Sequence, residues 1–131
     1  MTHTILYDES ISTFIIRIFG KTTEQDVINC FQDYNDKVRE NFGNNKFSII
    51  INVDEQAHRS MAVLRLIRYS MENQPQRENI AHIVAINENP MAVAARNANP
   101  SSNVLPFFIN KDEAKKYLSD KMQENGKSNN S

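Results

Sequence analysis

The sequence predicts a single-domain α/β fold, a mixed β-sheet of about five strands flanked by about four helices. Two short apolar runs carry most of that expectation: Phe47 to Val53 (FSIIINV) and Ala81 to Ile86 (AHIVAI), separated by a stretch with the length and pattern of a crossover helix. Continuous apolar runs of this kind mark parallel strands covered on both faces. The third observation is the opening of the chain. Thr4 to Asp8 and Ser12 to Phe19 run or alternate apolar around Glu9 and Ser10, with Gly20 closing the second, which reads as a β-hairpin.

The elements follow in order. Thr23 can cap a helix whose first turn holds Glu24, Gln25 and Asp26, residues suited to the positive end of the macrodipole. Val27, Ile28, Phe31, Tyr34, Val38 and Phe42 recur as one apolar stripe, and Gly43 sits where a helix ends. Phe47 to Val53 is the central strand and Asp54 marks its carboxyl end. A second helix, from about Ser60 to Met71, places Met61, Leu64, Ile67 and Met71 on one face. Asn73 to Asn79, with Pro75, reads as a polar connection to the strand Ala81 to Ile86.

Asn87 to Asn89 lead to Pro90, which suits the first position of a short alanine-rich helix from Met91 to Ala98. Val104 to Ile109 is a last strand, assigned to an edge because Pro106 cannot donate a ladder hydrogen bond. Asn110 and Glu113 have capping-box spacing, and Ala114, Tyr117, Leu118 and Met122 give the final helix a core face. Residues 1–123 are read as the domain. The polar tail 124–131, with Gly126, is expected to be disordered.

Composition bounds function. The chain has 131 residues, 40% hydrophobic and 24% charged, the profile of one ordinary globular domain. A net charge of -1 and a pI near 6.3 supply no global positive field for nucleic acid or anionic lipid. No apolar run reaches the roughly 18 residues a bilayer requires, the N-terminus lacks signal-peptide order, and a lone Cys30 fits a reducing compartment, so a cytoplasmic protein without membrane insertion is expected. Gly20, Gly43 and Gly126 are the only glycines, too few for a dinucleotide fingerprint or a P-loop, and no cofactor is expected.

The carboxyl edge of a parallel sheet is where ligands gather, so the candidate site is the segment after the central strand: Asp54, Glu55, His58, Arg59 and Ser60, joined by Asn87 after the next strand. Ser60 at a helix N-terminus either caps the helix or accepts a phosphate favoured by the free N–H groups there. A hydrolytic arrangement would use His58 as base, Asp54 as its orienter and Ser60 as nucleophile, but no G-x-S-x-G elbow surrounds Ser60 and no catalytic residue is assigned. His3, His58 and His82 lack ligand spacing, so no metal is expected. His82 reads as a hydrogen-bonded strand residue, Cys30 as a small core hydrophobe, and Met61, Met71 and Met122 as core. Arg59, Arg65, Arg68 and Arg77 read as a wet helix face, and without an RNP, KH or helix-turn-helix pattern no nucleic-acid partner is expected.

FIIRIFGKTTEQDV from Phe14 to Val27, SIIINVD from Ser48 to Asp54, IAHIVAI from Ile80 to Ile86 and PFFINKDEAKKYL from Pro106 to Leu118 together resemble the STAS domain, and within it the SpoIIAA-like group of small bacterial proteins. The likeness runs from about Thr4 to Met122. It implies a non-enzymatic regulatory or adaptor module that binds a protein partner at the start of the second helix. In anti-sigma-factor antagonists of this fold a serine there is phosphorylated by a partner kinase and released by a phosphatase, and Ser60 is the serine in the matching place. Arg59, Ser60, Met61 and Ala62 stand where that family carries an Asp-Ser-Ser-Gly-like signature. A small-ligand pocket lined by His58, Arg59 and Asn87 is the alternative expectation, a hydrolase-like enzyme the third. An outer strand could also pair with a second copy and give a homodimer.

Overall fold

Five strands form one mixed sheet whose spatial order is the chain order: β1 (His3–Asp8), β2 (Thr13–Ile18), β3 (Phe47–Val53), β4 (Ile80–Ile86) and β5 (Phe107–Phe108). β1 pairs antiparallel with β2, and every later pair is parallel. The structure, a computed structural model, describes residues 3–42, 46–54, 60–74, 77–87, 91 and 106–129. Three α-helices lie among them: α1 (Glu24–Phe42), α2 (Met61–Glu72) and α3 (Lys111–Asn129). The α/β class and the mixed five-stranded sheet are therefore as the sequence predicts. The expected helix from Met91 to Ala98 lies outside the described residues except for Met91, as does the part of the last strand before Pro106.

Local chemistry accounts for the helix starts. Thr23 and Asp26 cap α1 reciprocally: Asp26 N–H donates to Thr23 Oγ1 (3.2 Å) and Thr23 N–H to the Asp26 carboxylate (2.8 Å). Glu113 N–H donates to Asn110 Oδ1 (2.9 Å), so the expected cap on α3 is made. That helix then continues through Asn129, past the point near Met122 where the sequence reading ends it. The residues beyond, Gln123, Glu124 and Lys127 among them, are good helix formers, and one interior Gly126 costs only about 1 kcal/mol.

The two faces of the sheet are covered differently. On one, Phe14, Ile16 and Ile18 of β2 and Phe47, Ile49 and Ile51 of β3 pack with Val27, Phe31, Tyr34 and Val38 of α1 and with Val63, Ile67 and Met71 of α2. On the other, Ile15, Ile50, Val84 and Ile86 meet Ala114 and Leu118 of α3. Two assignments to the core are corrected. The buried stripe of α2 is Val63, Ile67 and Met71, spaced by four, whereas Met61, two residues before Val63 and about 200° away on the helical wheel, is 62% exposed and Leu64 is half-buried. Met122 is likewise 42% exposed; α3 is anchored one turn earlier, at Leu118.

Gln74 belongs to the core rather than to a polar connection. It is buried, accepts the Tyr34 hydroxyl (2.6 Å) and donates to the Met71 carbonyl (2.9 Å), tying α1 to the end of α2. Burial pushes the Tyr34 hydroxyl above its ordinary range, so it stays a donor.

The first hairpin and the last helix are joined by Lys115, whose ammonium donates to Asp8 Oδ2 at 2.8 Å. Asp8 also accepts from Ser10 N–H (3.0 Å) and Ser10 Oγ (2.6 Å). The Lys115 hydrogen bond first, and Ser10 next, hold the Asp8 carboxyl down at about 2. A carboxyl depressed by folding adds stability above its unfolded value, and that stability disappears as pH falls through the folded one. Lys115→Met is expected to cost about 1 kcal/mol at pH 7, a partly exposed pair contributing modestly. Urea midpoints for variant and parent should converge as pH approaches the folded value of about 2; a gap independent of pH would remove the electrostatic explanation.

Candidate functional site

Asp54 leaves β3 at the carboxyl edge, and Ser60 starts α2. Asp54 is not idle: Arg17 of β2 donates to it through Nη2 (2.9 Å) and Nε (3.4 Å), and the guanidinium lies 5.2 Å from the centre of the Phe19 ring. Arg17 interrupts the apolar run FIIRIFG, a signal sufficient to mark it, but sequence reasoning passed over it. Its register partner is Asn52, so Arg17, Asn52 and Asp54 stand on the α3 side of the sheet.

Ser60 has extended backbone (φ -102°, ψ 120°), and its hydroxyl accepts from Val63 N–H at 3.2 Å. The capping reading of Ser60 is thus met, and the residue remains half-buried rather than sealed. Glu55, His58 and Arg59 lie outside the described residues. With Asp54 engaged by Arg17 and Ser60 Oγ turned to its own helix, the described part of the proposed hydrolytic set is occupied by structural hydrogen bonds. Asn87 is at the carboxyl end of β4, where its N–H donates to the Phe108 carbonyl (2.9 Å).

Ligand crevices in open α/β sheets form where the connections from two neighbouring strands diverge. Here β2, β3, β4 and β5 succeed one another in space as in sequence, so no reversal of strand order occurs among them. Among the described residues no group of three or more His, Cys, Asp or Glu side chains could hold a metal ion. His82 is half-buried with its ring against Tyr117 (6.4 Å between centroids), and Cys30 is buried, its thiol pushed up to about 12 by burial and then by Asp33.

The outer face of α2 is the more informative surface. Met61, Arg65 and Tyr69 follow at intervals of four, hence on one stripe, and Met61 and Tyr69 are 62% and 63% exposed. Arg68 beside them is paired with Glu72 at 3.2 Å, and Arg77 donates to the Glu72 carbonyl at 2.8 Å. Of the arginines read from the sequence as a wet helix face, Arg65 and Arg68 are exposed on this helix, Arg77 is exposed in the short turn after it, and Arg59 lies outside the described residues. Sequence reasoning missed Tyr69 and misplaced Met61.

Comparison with protein-family models, curated proteins and solved structures finds no match. Among the described residues no helix is long and apolar enough to cross a membrane.

Proposed function

We propose that this chain is a STAS-like, SpoIIAA-like regulatory module, non-enzymatic, which binds a protein partner through the outer face of α2 and is switched by phosphorylation of Ser60. The observation that carries the reading is the pair of large apolar side chains, Met61 and Tyr69, left open on either side of Arg65 directly after Ser60. Met, Tyr and Arg are the side chains enriched where proteins dock, because they combine contact area with directional polar groups. A phosphate on Ser60 adds about -1.5 to -2 charge beside Met61. Its water must be stripped when an apolar surface closes over it, so modification weakens docking; a loss of about 1.4 kcal/mol is a tenfold change in affinity.

The test compares proteins retained from native cell extract by the parent chain and by a Met61→Ala/Tyr69→Ala double variant, followed by titration of the retained protein. The double variant is expected to bind at least about tenfold more weakly while unfolding at the parent's denaturant midpoint. Ser60→Asp, which keeps a competent cap, should weaken binding in the same direction. Equal retention by all three chains would sink the docking face, and unchanged binding by Ser60→Asp alone would sink the switch.

A further inference from the structure

The two ends of the sheet differ in how they are protected. Among the described residues β5 holds two, after Pro106, so its described part presents little outer edge. β1 holds six residues, His-Thr-Ile-Leu-Tyr-Asp, in unbroken register with β2 from His3–Ile18 to Asp8–Thr13. It contains no Lys, Pro or bulge, the devices that ordinarily blunt an outer strand.

The hydrogen bonds decide which β1 groups look outward. Ser48 N–H donates to the Ser12 carbonyl and Asp54 N–H to the Ile18 carbonyl, both at 2.9 Å, so even-numbered backbone groups of β2 serve β3 and odd-numbered ones serve β1. Through the pairs Asp8–Thr13, Leu6–Ile15 and Thr4–Arg17, even-numbered β1 residues turn their backbone toward β2. The backbone groups of His3 and Ile5 therefore point away from the sheet. Leu6 stands on the α3 side, opposite Ile15, and is 60% exposed.

We infer that β1 is the seam of a homodimer, in which two copies pair their first strands antiparallel about a two-fold axis at Leu6 and extend the sheet to twice its number of strands. An axis normal to the sheet keeps each face on its own side, so residues that meet across the seam must have the same parity. With the axis at Leu6, Leu6 meets Leu6, Ile5 meets Tyr7 and Thr4 meets Asp8. No like charges oppose one another, since Asp8 faces the uncharged Thr4, and Ile–Tyr is a favourable cross-strand pair. The Leu6 pair is of the non-hydrogen-bonded type, with Cα atoms about 4.5 Å apart, close enough to bury both side chains. A seam of six residues, about 20 Å long, makes a small interface, so the dimer depends on concentration.

Sedimentation equilibrium of the full chain from micromolar to near-millimolar concentration should show the mass rising from 15.1 kDa toward twice that value. Leu6→Lys, a change at an exposed site, should stay at the mass of one chain with an unaltered far-ultraviolet spectrum. In parallel, Leu6→Cys should form a disulfide-linked dimer under mild oxidation much faster than Thr4→Cys, which faces residue 8 of the other copy. Cys30, buried, does not compete. A constant single-chain mass, equal association by Leu6→Lys, or equal cross-linking by the two cysteine variants would each overturn the proposal. Should Leu6→Lys fail to fold, the cross-linking comparison decides alone.

Discussion

A Phe14→Ala variant is expected to lose about 3–5 kcal/mol of unfolding free energy, against a total of about 5–15 kcal/mol for a domain of ordinary stability. Phe14 is fully buried in β2, with Tyr7 at 4.9 Å, Phe47 at 5.5 Å and Tyr34 at 5.8 Å between ring centroids. Truncation removes the ring from three aromatic contacts and leaves a cavity walled by two strands and α1, elements that cannot move inward without breaking the β1–β2–β3 ladder. Phe14→Leu keeps most of the volume and should cost clearly less. Urea titration checks both. A Phe14→Ala loss under about 1 kcal/mol would mean that the site collapses freely, and the description of this core would fail.

Leu118→Ala is expected to cost about 2–5 kcal/mol and to act locally. α3 is 19 residues long, and among its described side chains those fully buried are Ala114 and Leu118, with Tyr117 half-buried against Phe108 (5.1 Å between centroids). Of these Leu118 contributes most of the apolar area. Without it the described contacts of the helix are the small Ala114 against Ile15, Ile50 and Val84, the Tyr117 ring beside Phe108, and the Lys115–Asp8 pair. Native-state hydrogen exchange should show amides of α3 opening well before those of β3, whose two neighbours remain in place. Uniform acceleration across sheet and helix would show instead that the two unfold as one unit.

Much of the architecture was legible because it is written locally. Thr23, Ser60 and Asn110 cap helices by hydroxyl or amide chemistry that needs no tertiary information, and the apolar runs of β2, β3 and β4 are long enough to fix their class. Pro106 correctly marked the last strand as an outer one. What failed was the assumption that an apolar residue on an amphipathic helix faces inward. Met61 lies in the first turn of α2, off the stripe set by Val63, Ile67 and Met71, and Met122 lies one turn beyond the Leu118 anchor of α3; neither fact follows from residue type. Gln74 was misread for the converse reason, since its burial is made tolerable by the Tyr34 hydroxyl, forty residues away. At the site, Asp54 and Ser60 were found at the expected carboxyl edge and helix entry. The Arg17 partner of Asp54 was not: Arg17 stands out as the charge inside the apolar run FIIRIFG, but nothing in either sequence neighbourhood says that it meets a residue 37 positions away.

The equality of spatial and chain order among the strands bears on biosynthesis. Each strand emerging from the ribosome finds its neighbour already made and adds to the outside of a growing edge; none has to be threaded between two that are paired. The clasp of Lys115 on Asp8 comes later: it spans 107 positions and cannot close until Lys115 itself has left the exit tunnel. The topology thus lets translation lay the sheet down by accretion, with α3 fastened to the first hairpin once the strands are in place.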